Sequence, residues 1–247
     1  MAITMKESRA TKAKITAYIA TFTALVFAAT SVIVVETPAT KGFFNLGETM
    51  VYTAALLGGI VVGTIAGGLG SALADLYLGY PHYAPGTLII KGIEGFIVAY
   101  LSSRFRRLNI AQWKVVSVIS AIIAFGLVAG LGYTYYRGET ILYFLGSEVK
   151  FSIPGELWFI LGALLSLGIL YLGFKYDPKV GGDVYAIILG GLEMVLGYFT
   201  YQVVVLRYPP MVAALEIPVN LGQATIGLLV ALPLARTIKA MGAKVET

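Results

Sequence analysis

The chain has no cysteine and a single histidine among its 247 residues. Disulfides, thiol catalysis and a Cys/His metal centre are therefore excluded, while the redox compartment stays open. There is no GxxxxGK[ST] phosphate loop and no HExxH pair, so ATP binding by the chain itself and a zinc-protease mechanism both lack their residues. Charge is scarce as well: 13% of residues are Asp, Glu, Lys or Arg, against about 25% in an ordinary soluble domain. Hydrophobic residues make up 58% of the chain, more than one globular core can hide. It reads as an integral membrane protein. Its formal charge of +5 does not point to nucleic acid, because the basic residues cluster beside apolar runs, as topology determinants do. Lipid is the expected surroundings; no metal and no cofactor are expected.

Seven apolar runs follow one another: Ile15 to Val35, Glu48 to Tyr80, Gly86 to Ser103, Val115 to Tyr136, Gly155 to Phe174, Asp183 to Leu206 and Ile217 to Ala235. The first follows Lys12 and Lys14 but exceeds the h-region of a signal peptide, and reads as an uncleaved span. The second is anomalous. Its 33 residues would make a rod of about 50 Å in a hydrocarbon core of about 30 Å. Taken as one span, it would put Arg104, Arg106, Arg107 and Lys114 on the opposite side from Lys6, Arg9, Lys12 and Lys14, against the positive-inside rule. A hairpin broken near Gly58-Gly59 restores the parity. Those eight basic residues then lie inside with Lys175, Lys179, Arg236, Lys239 and Lys244, while Lys41, Arg137, Lys150 and Arg207 lie outside and Lys91 is intramembrane. The expected fold is all-α: a polytopic membrane helix bundle of eight helices over residues 1–247, both termini cytoplasmic, with no separate soluble domain. The longest polar stretch, Arg137 to Ile153, is expected as an outer loop.

An ionised side chain near the middle of a bilayer costs at least about 2.5 to 3.5 kcal/mol, so it persists where it pairs, lines a polar cavity or binds something. Glu48, Asp75, Lys91, Glu94 and Glu193 all fall within the apolar runs. On a helix starting near Gly86, Thr87, Lys91 and Glu94 share one face at i, i+4 and i+7, and Asp75, one turn below the end of the preceding helix, is placed to face them. Two readings stay open: a structural ion network in which Lys91 satisfies Glu94 or Asp75, or a polar cavity with hydrogen-bonding capacity to spare. The pattern acid-x-x-Leu-Gly-Tyr occurs at Asp75 to Tyr80 and at Glu193 to Tyr198, with Tyr201 one turn on. Each copy sets a carboxylate beside a tyrosine, suited to a flat ligand with donors, although an interfacial aromatic belt accounts for many of the tyrosines. The last helix opens Glu216-Ile-Pro218, and Asn220 and Gln223 share a face near its start, either to meet a ligand or to bridge helices by amide hydrogen bonds.

Small residues recur at helical spacing. Gly59, Gly63 and Gly67, with Gly70 on the same face, favour close packing over ligand contact. Ala20, Ala24 and Ala28 on the first helix either pack internally or dock another membrane protein. Asp177 and Asp183 lie on one short loop without the full GxGD motif of intramembrane aspartyl proteases, and Asp183 reads as a helix N-cap.

The ordered set Gly42-Phe-Phe-Asn45-Leu-Gly-Glu48, Gly67-Gly-Leu-Gly-Ser-Ala-Leu-Ala-Asp75, Gly79-Tyr80, Pro85-Gly-Thr87, Lys91-Gly-Ile-Glu94-Gly95 and Ile217-Pro-Val-Asn220-Leu-Gly-Gln223 resembles the substrate-binding S component of an energy-coupling factor (ECF) transporter, in the riboflavin-type group. The resemblance covers residues 15–110 and 183–240. It implies a six-helix core in a prokaryotic cell membrane and no enzymatic activity. It also implies a vitamin or precursor bound near the outer face, and import driven by a T component and two ATPases that tip the S component. It makes the Gly42 to Glu48 segment the closing loop and the Ala20, Ala24, Ala28 stripe the docking face. Residues 111–182 are then an inserted helix pair with its loop. The substrate site is expected among Asn45, Glu48, Asp75, Tyr80, Lys91, Glu94, Glu193, Tyr198, Tyr201, Asn220 and Gln223. The rival class is a proton-coupled secondary transporter or channel relaying protons through Asp75, Glu94 and Glu193.

Overall fold

The computed structural model describes residues 2–37, 40, 42–135, 137–144 and 147–242. Lys41 and Lys244, two of the basic residues used for sidedness, and Tyr136, the end of the fourth run, lie outside that set. The elements in chain order are α1 Ala2–Val32, β1 Val35–Thr37, β2 Gly42–Phe44, α2 Gly47–Leu78, α3 Ala84–Phe105, α4 Ile110–Tyr135, β3 Gly138–Phe144, β4 Ser147–Ile153, α5 Gly155–Lys175, α6 Pro178–Val204, α7 Pro210–Ala214 and α8 Ile217–Ala240. Among the described residues seven helical stretches are long and apolar enough to cross a membrane, the last joining α7 to α8. The protein is an all-α polytopic bundle carrying two small antiparallel ribbons.

The expected eight rods are met as seven stretches because α2 is folded on itself. Gly59, at φ 73° and ψ −166°, is non-helical inside it, a backbone state that glycine tolerates and a side chain does not. In a straight helix Ala55 and Gly63 would lie about 12 Å apart. Here a Cβ added at Gly63 would stand 2.8 Å from the Ala55 Cα, and one at Gly67 would stand 3.2 Å from a Val51 methyl. The two halves, 47–58 and 60–78, therefore run antiparallel in contact. A second contact requires the same reversal: the Tyr83 hydroxyl, just after α2, donates to the Thr40 carbonyl, just before it, at 3.0 Å. The first half is only about 18 Å long, short of a full span, so its start at Glu48 lies at depth rather than at a surface.

The chain forms two compact units, residues 1–106 with 182–247, and residues 107–181. In the first, the folded α2 is central and packs on α1, α3 and α8. Its glycines make the approach possible: a Cβ at Gly63 would meet the Gly95 carbonyl at 3.1 Å, one at Gly67 the Lys91 carbonyl at 2.8 Å, and one at Gly70 the Thr23 carbonyl at 2.7 Å. The glycine stripe is a packing device. The alanine stripe is not, since Ala20, Ala24 and Ala28 are all exposed while Phe22, Val26 and Thr30 turn inward.

The second unit is a helix pair, α4 against α5, with Gly132 under the Trp158 ring and Gly162 against Phe125. The stretch expected as a loop is instead a ribbon, β3 paired with β4 from Gly138↔Ile153 to Phe144↔Ser147. Asp183 also departs from expectation. Proline suits a first turn, so α6 begins at Pro178, and the cap is Asp177, whose Oδ1 accepts the N–H groups of Lys179 and Val180 at 2.9 Å each. Asp183 lies inside the helix, where its carboxylate takes the Arg106 guanidinium at 2.9 and 2.6 Å and the Ser102 hydroxyl at 2.6 Å.

Candidate functional site

Helical spacing on α3 places Thr87, Lys91 and Glu94 in one buried row, between 0 and 4% exposed. The Lys91 ammonium is paired with the Glu48 carboxylate from the first turn of α2 and with Glu94 Oε2 at 3.0 Å. Glu94 Oε1 accepts from the Tyr52 hydroxyl at 2.8 Å. The Tyr198 ring of α6 covers the ammonium, 5.6 Å from nitrogen to centroid, and its hydroxyl donates to Thr87 Oγ1 at 3.0 Å. Lys91 thus satisfies Glu94, as one reading of the sequence had it, but its second partner is Glu48 rather than Asp75. Asp75 is buried beside Thr87 and keeps Oδ2 without a hydrogen-bond partner, as Glu48 and Glu193 each keep Oε2.

Above this row Thr40 and residues 42–47 are latched onto other elements at the same end. The Thr40 hydroxyl donates to Glu216, which also accepts from the Gln202 amide. That amide reaches the Tyr83 hydroxyl at 3.1 Å. Burial, with Glu216 close by, pushes the Tyr83 phenol up from its ordinary value, so it remains a donor. The Asn45 N–H donates to Gln223 Oε1 at 2.6 Å, and Gln223 Nε2 donates to Asn220 Oδ1 at 3.1 Å. Asn45 Oδ1 closes a local turn on the Gly47 N–H at 2.7 Å. A side chain at Gly42 would strike Glu216, so glycine is what lets the segment lie this close.

Between latch and row is a narrow cleft of about 460 Å³, counted to its open mouth. At its widest it has room for a few waters. Asn45, Asp75, Lys91, Tyr198, Asn220 and Gln223 line it; of the other expected residues, Glu48, Glu94, Glu193, Tyr80 and Tyr201 do not. Glu48 and Glu94 lie behind Lys91 as its counter-ions. Tyr80 packs on Phe43 at 4.8 Å between centroids, and Tyr201 donates to the His82 carbonyl at 2.8 Å, both toward the rim. The cleft adds Thr30, Phe43, Ser71, Tyr83, Thr87 and Glu216. Thr87 was legible from its helical row, whereas Thr30 is turned inward only by the packing of α1. Tyr83, from a turn, carried no periodic signal. Among the described residues no group of three or more His, Asp and Glu is placed to hold a metal ion.

The sequence model of the family described as ECF-type riboflavin transporter, S component, matches residues 10–167. The chain belongs to this family. It is accordingly a multi-pass protein of the prokaryotic plasma membrane and a transport subunit for vitamin-like substrates rather than an enzyme. A protein of Pyrococcus woesei described as "Uncharacterized protein in gap 3'region" is 33% identical over 152 residues, which cover 62% of this chain and 94% of that one. The family match runs through residues 111–167, which the sequence reading sets apart as an insertion, and ends before α6 and α8, which contribute Tyr198, Asn220 and Gln223 to the cleft.

Proposed function

We propose that the chain binds a water-soluble vitamin or precursor in the cleft under segment 40–47 and delivers it across the membrane when docked on an ECF T component and two ATPases. One observation carries this reading: a membrane-embedded cleft with Lys91 and Asp75 in its walls, closed by a segment that hydrogen bonds and one glycine hold against α8. The end bearing the cleft faces outward. Arg104, Arg106, Arg236 and Lys239 stand at the far ends of α3 and α8, where the positive-inside rule puts the cytoplasm. Since the closed cleft holds only a few waters, ligand entry requires the 40–47 segment to move away from Glu216 and Gln223. Ala20, Ala24 and Ala28 supply the docking face: they are exposed, and small residues allow the close helix approach on which association in lipid depends. Glu48 and Glu94 act by holding the Lys91 ammonium in place.

Binding and uptake test this separately. Native mass spectrometry of the purified chain should find a retained small molecule, and uptake in cells should require the partner ATPases. Uptake that persists without them would support the proton-coupled alternative through Asp75, Glu94 and Glu193.

A further inference from the structure

Resting on the reading of Thr40 and residues 42–47 as the segment that closes the substrate site, we propose that Gln202 of α6 is a positioning residue. It completes a buried ring of hydrogen bonds that holds the segment shut, and so sets how fast the substrate enters and leaves.

Four residues from separate parts of the chain make the ring: Thr40 ahead of α2, Tyr83 in the turn before α3, Gln202 near the end of α6 and Glu216 just before α8. All four are buried, between 0 and 5% exposed. The Thr40 hydroxyl donates to Glu216 Oε1, and the Thr40 carbonyl accepts from the Tyr83 hydroxyl at 3.0 Å. Gln202 Nε2 closes the ring, donating to Glu216 Oε2 and to the Tyr83 oxygen at 3.1 Å. Residue 40 is thus held at its side chain and at its backbone together. Gln202 is the member that fixes the spacing of the two groups that hold it.

The position calls for an amide. An amide nitrogen carries two hydrogens, and the ring uses both. Gln202 Oε1 meanwhile stays buried without a hydrogen-bond partner, a cost of the orientation that turns both hydrogens to the ring. A leucine would take its donor from Glu216 Oε2 and from the Tyr83 oxygen, and a glutamate would set a second carboxyl against Glu216. The backbone is fixed as well: the Gln202 carbonyl accepts the Tyr208 N–H at 2.9 Å, in a turn through Arg207 at φ 61°, the left-handed region that few side chains adopt. Gln202 does not line the cleft, so it acts on a substrate only through the closing segment. A bridge that merely joined α6 to α8 would end at Glu216, whereas this one runs on through Tyr83 to the far side of residue 40.

Amide hydrogen exchange and ligand kinetics on the full purified chain test this, with riboflavin as the probe. In Gln202→Leu the amides of residues 42–47 should exchange about tenfold faster, the scale of one or two lost hydrogen bonds, while those of α4 keep their protection. Riboflavin release should quicken by a similar factor. Thr40→Val, which removes the hydroxyl on the opposite side of the ring, should do the same, and the double variant should add little to either, because both open one ring. Unchanged exchange at 42–47 overturns the proposal, as do effects that simply add. So does faster exchange with the release of bound riboflavin unaltered, which would leave Gln202 a structural bridge. If Gln202→Leu fails to fold, Gln202→Asn, one methylene short of the ring, is read in its place. Failure of the site reading looks different: riboflavin does not bind the unmodified chain, or binds without protecting any amide of 42–47, and the exchange cycle then decides by itself whether Gln202 holds the segment.

Discussion

The two units of this protein solve the same solvent problem in opposite ways. Among the described residues, Ser117 is the one buried polar side chain of residues 107–181, and its hydroxyl is satisfied by the Trp113 carbonyl one turn back. The other unit buries Glu48, Asp75, Lys91, Glu94, Asp183 and Glu216 besides its hydroxyls and amides. In α5 only Gly162 and Gly173 are buried, while every residue of the 47–58 half of α2 except Met50 is buried. A helix pair that faces lipid needs nothing but apolar surface. A unit that hides charge must bring elements close enough for each charge to find a partner, and its glycines make that approach possible.

Glycine substitutions should separate the units most sharply. Gly95→Val forces a side chain into the Gly63 carbonyl; overpacking costs about 1 to 3 kcal/mol and more against backbone, so the folded yield in detergent should collapse. Gly126→Val in α4, where an added Cβ meets nothing within 4 Å, should leave yield and melting temperature unchanged. Equal effects would erase the contrast.

Next in size is the buried ion cluster. Lys91→Met leaves two carboxylates unpaired and should cost about 3 to 5 kcal/mol, read as a lowered melting temperature, part of which the double variant Lys91→Met/Glu48→Gln should recover. Lys114→Met in the other unit removes only an exposed contact with the Phe174 ring, worth about 0.5 to 1 kcal/mol. If the two substitutions cost the same, the buried cluster is not holding α2 to α3.

Ala24→Trp should barely change stability or ligand affinity, because the side chain points outward from α1. It should abolish co-purification with the T component. Loss of folding instead would show the stripe to be internal. The smallest perturbation tests sidedness in a chain with no native cysteine: His82→Cys and Asn109→Cys, both at exposed positions, should fold normally and label from outside and inside respectively. Labelling of both from one side would remove the basis for an outward-facing cleft.

Local rules reached a definite depth in this chain. The reversal in α2 was legible because a run of that length cannot fit a bilayer once, and because basic residues on one side demand an even number of crossings. The Lys91–Glu94 pair was legible from helical spacing. Asp183 was misread because an aspartate after glycines resembles a cap, whereas Pro178 had already begun the helix and Asp177 capped it. The ribbon at 138–153 was missed because a short hairpin in a polar stretch has no long periodic signal.

The amino-acid sequence by itself determined the membrane environment, the number of rods and which faces of α3 and α8 carry polar groups, since these follow from composition, run length and helical period. Only the tertiary structure decided who meets whom. Glu48 reaches Lys91 across 43 positions, and Thr40 reaches Glu216 across 176. The reason is physical: helical period fixes partners only within a turn or two, while a buried charge takes whichever complementary group the packing of other helices brings to it. Here that packing was set by the glycines that let the folded α2 lie against α3.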